Sequence, residues 1–164
     1  MKSYRRIRKV AVLGSGVMGS QIAAHCINAG LEVLLLDLKS DDSKRPNKIA
    51  EESLKKILKI KPAPFAVPEF AQLIKVGNFD DDLNQLSEAD WICEVVIERM
   101  DIKQQLLSKI DAVRSKHSIV SSNTSGLPIS EISSNCSSSF KENFLGTHFF
   151  NPPRYMHLLE LIPI

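Results

Sequence analysis

Several things are scarce in this chain of 164 residues, and each scarcity removes a class of protein. It has three cysteines, Cys26, Cys93 and Cys136, an odd number, widely spaced and in no metal-like pair. That leaves neither a disulfide framework nor a zinc site, so the three read as reduced thiols, with Cys26 and Cys93 in the core. No large excess of one charge is present: the net charge of +2 does not mark a nucleic-acid binder. Lys2, Arg5, Arg6, Arg8 and Lys9 form a basic opening that reads as a solvated arm. No apolar stretch approaches the length needed to cross a bilayer, and the N-terminus lacks an apolar signal core, so the cytoplasm is the expected compartment. Repeats and long low-complexity tracts are missing too; residues 133–139 are Ser-rich but few, and read as an exposed loop. What remains is ordinary globular composition, 43% hydrophobic and 24% charged, in a length that suits one domain spanning 1–164.

The opening residues carry the strongest pattern. Val10-Ala11-Val12-Leu13 is a short apolar run, Gly14-Ser15-Gly16-Val17-Met18-Gly19 follows at once, residues 21–28 read as helix, and Val33-Leu34-Leu35-Leu36 leads into Asp37. Each glycine has its own duty: Gly14 permits the tight turn off the strand, Gly16 lets backbone approach a pyrophosphate, and Gly19 lets the helix pack closely. The helix N-terminus offers free N–H groups and a positive dipole end to phosphates. Asp37, eighteen residues after Gly19, stands where an acid bonds the adenosine ribose hydroxyls. A 2′-phosphate there would face a like charge, so the expected cofactor is NAD rather than NADP.

Farther along, apolar strand-like runs alternate with segments of helical period, the pattern of an α/β fold with a mostly parallel, doubly wound Rossmann-like sheet and helices on both faces. Residues 38–48 are polar, hold Pro46 and read as loop; Ile49, Leu54, Ile57, Leu58 and Lys61 then mark an amphipathic helix with Lys48, Lys55, Lys56 and Lys59 on its wet side. Pro62, Pro64 and Pro68 end it. A short strand is expected over 72–76 before Gly77-Asn78, a helical turn over 82–87, and a strand over 91–96 that runs up to Glu98. Asp101 with Gln104 resembles a capping box, and Ile102, Leu106, Ile110 and Val113 give the next helix its apolar stripe. Strands over 118–120 and 144–150, a polar turn over 121–126 and a short helix over 129–133 follow.

A Rossmann half names a cofactor, not a reaction. The chemistry has three further sources: Ser121-Ser122-Asn123-Thr124-Ser125-Gly126 after a strand, Gly146-Thr147-His148-Phe149-Phe150-Asn151-Pro152 at the end of another, and Glu160 on an otherwise apolar strand. A carboxylate at Glu160 is costly to bury unless paired, and an imidazolium is a natural partner. Together these segments resemble the L-3-hydroxyacyl-CoA dehydrogenase family, specifically its N-terminal NAD-binding domain. The likeness spans Val10 to Pro163 and rests on the glycine turn, Glu94-Val95-Val96-Ile97-Glu98, Asn123-Thr124-Ser125, and His148-Phe149-Phe150-Asn151-Pro152 with Glu160. The strand ending at Asp37 and Lys61-Pro62-Ala63-Pro64 look most like the larger bacterial multifunctional members, which append an enoyl-CoA hydratase module.

The resemblance implies a step of fatty-acid β-oxidation, in which the hydroxyl carbon of an L-3-hydroxyacyl-CoA gives hydride to NAD. It makes His148 the general base, Glu160 the residue that orients and charges it, and Ser125 a hydrogen-bond partner of the substrate oxygen. Glu98, Lys103 and Asn151 match positions on the nicotinamide side of the cofactor. Ser53 matches a CoA contact, and Lys59 or Lys61 could meet CoA phosphates. Gly126 stands where many members have a second serine. The chain stops just after the apolar run over 158–162, which reads as a sheet strand and suggests a domain from a longer polypeptide. The family's helical C-terminal domain, with a catalytic asparagine and the usual dimer interface, would then lie elsewhere, and this piece would bind NAD but turn over poorly. Two alternatives stay open: a non-catalytic NAD-binding module, and another NAD-dependent 3-hydroxyacid dehydrogenase, which would normally use a lysine base.

Overall fold

The computed structural model describes residues 6–164, so Lys2 and Arg5 of the basic opening lie outside the described residues. Arg6 and Arg8 are exposed, while Lys9 meets Glu88 at 2.7 Å and Glu32 at 3.9 Å.

Period-two alternation with apolar residues on both sides makes the central strands. In β1 (Lys9–Leu13) and β2 (Glu32–Asp37), Val10, Val12, Val33 and Leu35 enter one core, and Ala11, Leu13, Leu34 and Leu36 enter the other. Strands buried on both faces belong inside a parallel sheet. The first core is closed by α1 (Val17–Asn28), through Ile22, Ala23, Cys26 and Ile27, and by α2 (Lys48–Ile57), through Ala50, Leu54 and Ile57. The second is closed by Leu106, Leu107 and Ile110 of α3 (Met100–Val113), with α4 (Ile129–Ile132) and α5 (Ser138–Lys141) beside it. Helices therefore cover both faces, as the sequence pattern requires.

The remaining strands are β3 (Lys75–Asn78), β4 (Trp91–Glu94), β5 (Ile119–Ser122), β6 (Phe144–Phe149) and β7 (Leu159–Pro163). They join one sheet of order β3-β2-β1-β4-β5-β6-β7, parallel except for β7, which runs antiparallel to β6. The chain winds outward from β1 to β3, returns to β4, and winds outward on the other side. The order reverses between β1 and β4, and a crevice opens at their carboxyl ends.

Several local expectations shift. The strand expected over 72–76 lies at Lys75–Asn78, because Gln72 and Leu73 close a 3₁₀ turn, Pro68–Leu73. Gly77 is a strand residue and not a turn: a Cβ there would lie 2.5 Å from Asp82 Oδ2 and 2.7 Å from Leu36 Cδ2. No capping box forms, since α3 starts at Met100, Asp101 pairs with the Arg99 guanidinium at 2.6 Å, and Gln104 donates to the Glu131 carbonyl at 2.9 Å. The Ser-rich stretch is partly core: Ser133 and Cys136 are buried, and Ser137 accepts the Phe140 amide to cap α5. Ser121 and Ser122 extend β5 instead of turning. Among the described residues no helix is long and apolar enough to cross a membrane.

All three cysteines are buried and unpaired. Burial pushes the Cys26 and Cys93 thiols up to about 12 and the Cys136 thiol up to about 11, so all are protonated at neutral pH. In the native protein at pH 7.5, Cys26, Cys93 and Cys136 should therefore stay unlabelled by Ellman's reagent, and all three should react on adding denaturant, as peptide mapping would show.

Candidate functional site

Since six strands point the same way, the residues that follow them emerge along one edge, around a cavity of about 1040 Å³. Gly14, Gly16, Val17, Met18 and Asp37 line one half of it; Glu98, Asn123, Ser125, His148 and Asn151 line the other.

In the first half, Gly14 has φ 103°, and a Cβ there would fall 2.7 Å from the Val95 carbonyl oxygen. A Cβ on Gly19 would sit 1.8 Å from the Gly14 carbonyl oxygen. These two glycines serve close packing inside the chain. At Gly16 an added Cβ would meet nothing within 4 Å, so this position faces open space. No side chain caps α1, and its first intrahelical acceptor is the Gly16 carbonyl, taken by Ser20 N at 3.1 Å. The amides of Val17, Met18 and Gly19 are thus left without helical partners, beside that space and at the positive dipole end. Open volume, unsatisfied donors and dipole together fit a pyrophosphate.

Asp37 closes this half. Its Oδ2 accepts from Ser15 N at 2.5 Å and Ser15 Oγ at 2.6 Å, and its Oδ1 accepts from Leu38 N at 2.7 Å. Ser15 is buried and holds the carboxylate in place instead of facing the cavity. Ser53, on α2, lies with its Oγ 3.2 Å from Ser15 Oγ and does not line the cavity.

In the second half, His148 Nδ1 lies 2.8 Å from Glu160 Oε2. The two are directly opposed across the β6–β7 ladder, and the reversal of β7 brings its first turn of chain back to the carboxyl edge. The expectation of a buried acid is corrected: the Glu160 side chain is 49% exposed and that of His148 22%. Asn123 steadies the neighbouring backbone by accepting from Phe149 N at 2.9 Å. Asn151 Oδ1 is reached by the buried Gln21 Nε2 at 3.4 Å. Ser125 is exposed at the rim, and its amide donates to Glu98.

Glu98 and Lys103 behave differently from one another. Glu98 opens to the cavity, with Oε1 accepting from the Thr124 hydroxyl and from the amides of Ser125 at 3.0 Å and Gly126 at 3.2 Å. Desolvation alone would raise its carboxyl, but the Thr124 hydroxyl, the Lys103 charge and the two amides outweigh that and hold it below the ordinary value. Lys103 is 1% exposed and lines no part of the cavity; its ammonium sits between Glu94 Oε1 at 2.7 Å and Glu98 Oε2 at 3.3 Å. Sequence reasoning missed the tie of Glu94 to Lys103, the Thr124 clamp, and the wall made by Phe79, Gln105 and Lys109. A signal for the first was present. Glu94 ends an apolar strand, and Lys103 shares the buried stripe of α3 with Leu106, Leu107 and Ile110, so each charge required a partner.

Residues 9–164 match the family described as "3-hydroxyacyl-CoA dehydrogenase, NAD binding domain". A probable 3-hydroxyacyl-CoA dehydrogenase of Bacillus subtilis is 47% identical over 175 aligned residues, covering 98% of this chain and 22% of the relative. Another from Deinococcus radiodurans is 47% identical over 158, covering 96% of this chain and 46% of the relative. The crystal structure of (S)-3-hydroxybutyryl-CoA dehydrogenase PaaH1 from Ralstonia eutropha superposes with a TM-score of 0.72 at 30% identity, over 95% of this chain and 54% of that one. The chain thus spans less than half the length of these two curated relatives.

Because the Glu98 carboxyl is lowered in the folded state, its contribution to stability is fully present above the unfolded value of about 4.3 and is lost as pH falls through the lower folded value. Urea unfolding from pH 7 to pH 3 should show the wild type more stable than Glu98→Gln by a constant margin down to about pH 4.3, narrowing below it.

Proposed function

This chain belongs to the 3-hydroxyacyl-CoA dehydrogenase family as its NAD-binding domain, and we propose that the protein oxidises the hydroxyl of an L-3-hydroxyacyl-CoA to the 3-ketone with His148 as base. The observation that carries this reading is the 2.8 Å contact with Glu160 made by Nδ1 of His148, a residue in the wall of the same cavity that holds the glycine turn.

The residues fit NAD: the Gly14 to Gly19 turn and the α1 amides would hold the pyrophosphate, Asp37 the adenosine ribose, and Glu98 with Asn151 the nicotinamide side. Lys103 would serve that side through Glu98. When bound, NAD supplies the acceptor for the hydride that leaves the hydroxyl-bearing carbon. With Nδ1–H committed to Glu160, the His148 ring presents Nε2 as the proton acceptor. The hydroxyl proton passes to Nε2, and the Glu160 carboxylate stabilises the imidazolium so formed. Ser125 Oγ donates to the substrate oxygen and fixes its position. We assign Ser53, with Lys59 or Lys61, to the CoA portion. The exposed Leu158, Leu161 and Ile162 suit cover by a helical C-terminal domain, through which the protein would dimerise. Three unpaired thiols fit a reducing compartment, the cytoplasm.

NADH formation from 3-hydroxybutyryl-CoA by the full-length protein tests the base: His148→Ala should lower kcat by about 10²- to 10⁴-fold while NAD affinity is kept. Glu160→Gln should lower it less, and full turnover in the His148 variant would refute the assignment. Calorimetric titration tests the cofactor half, where NAD should bind more tightly than NADP; the reverse order would remove the role given to Asp37.

A further inference from the structure

Glu94, at the end of β4, has a side chain that is 0% exposed, so no ligand reaches it, yet it is paired with the Lys103 ammonium. Three separate segments saturate its carboxylate. Oε1 accepts from Lys103 Nζ of α3 and from the Val96 amide, each at 2.7 Å, and Oε2 accepts from Ser122 Oγ of β5 at 2.5 Å. Lys103 Nζ in turn reaches the Val96 carbonyl and Glu98 Oε2, both at 3.3 Å. The other oxygen of Glu98 gathers the Thr124 hydroxyl and the Ser125 and Gly126 amides.

We propose that Glu94 is a positioning residue for the nicotinamide half of the cofactor, acting through Lys103 to fix Glu98 and, through Glu98, the rim at residues 124–126. This rests on the reading that Glu98 faces the nicotinamide side. A well-packed apolar residue would support the strand as well as a buried ion pair does, and often better. What it could not do is hold an ammonium at a set point in front of a carboxylate that is itself 42% exposed. Without the Glu94 charge, Glu98 becomes the main anion available to Lys103, and the ammonium draws Glu98 away from the rim donors. Asp37, on the adenosine side, shares no hydrogen bond with this relay, since it is held by Ser15 and Leu38, and neither bonds to Glu94, Lys103 or Glu98. ADP therefore serves as an internal control.

Calorimetric titration of the full-length protein with NAD and with ADP reads the effect. Glu94→Gln should bind ADP within about twofold of wild type and NAD about tenfold more weakly or worse. Ser122→Ala, which removes one donor to Glu94 and leaves the ion pair intact, should weaken NAD in the same direction by less, again with ADP unchanged; it decides the matter if the glutamine variant does not fold. Equal loss of both ligands would make Glu94 scaffold only and overturn the proposal, as would unchanged NAD affinity in the variants. Failure of the wild type to bind NAD would instead sink the cofactor reading itself, and is told apart because it appears before any substitution.

Discussion

The contact between the turn after β1 and the turn after β4 is the constraint on which the site depends. The chain leaves these adjacent strands toward opposite faces of the sheet, so a crevice opens there only if the two backbones stay close at its floor. They do, to the point that a Cβ on Gly14 would stand 2.7 Å from the Val95 carbonyl. Parallel register does the rest. Leu36, Leu13, Glu94, Ser122 and Gly146 form one row across five strands, so the residues just beyond them reach the same edge at nearly the same height. Asp37, Gly14, Asn123 and His148 are far apart in sequence and neighbours for this reason alone.

Beneath that edge the molecule accepts a costly arrangement. Glu94 and Lys103 are both essentially dry, and an ion pair withdrawn from water rarely gains net stability over apolar packing. Taking away one partner, however, leaves an uncompensated charge and costs about 3 to 5 kcal/mol. The consequence is a truss in which strand β4, helix α3 and strand β5 are tied together at one carboxylate. Glu98 marks where the truss meets solvent, with one oxygen on the ammonium and the other on the rim donors.

Elements set by local pattern were legible in the sequence, and contacts set by topology were not. The apolar runs of β1 and β2 and the stripe of α3 disclosed strands and helix, because burial leaves a mark on residue type. The tight turn at Gly14 and the close packing at Gly19 were legible because they follow from backbone geometry, and Asp37 was legible as the residue that ends β2. The position of β3 was not, since Gly77 looks like a turn residue until Leu36 and Asp82 are seen pressing on it. Ser15 shows the same limit: it sits within the phosphate-binding motif, yet its hydroxyl and amide serve Asp37. Lys103, matched to the cofactor by family likeness, is covered by its own network, and its place on the buried stripe of α3 was the one local sign of that.

The His148 and Glu160 pair shows how little an isolated contact can carry. At 49% exposure Glu160 shares its lone pairs with water, and an exposed ion pair contributes about 0 to 1 kcal/mol. Its orientation therefore comes from the ladder, which sets the two residues directly opposite on β6 and β7. Position and strength are separate here: the strand register supplies the first, and the second depends on how much water surrounds the carboxylate. Leu158 and Ile162, two residues to either side of Glu160 and so on its own face, are themselves exposed at 58% and 40%. Anything that covers them also dries the carboxylate between them, and the same 2.8 Å contact then acts at lower dielectric, where its hold on a protonated imidazole is stronger.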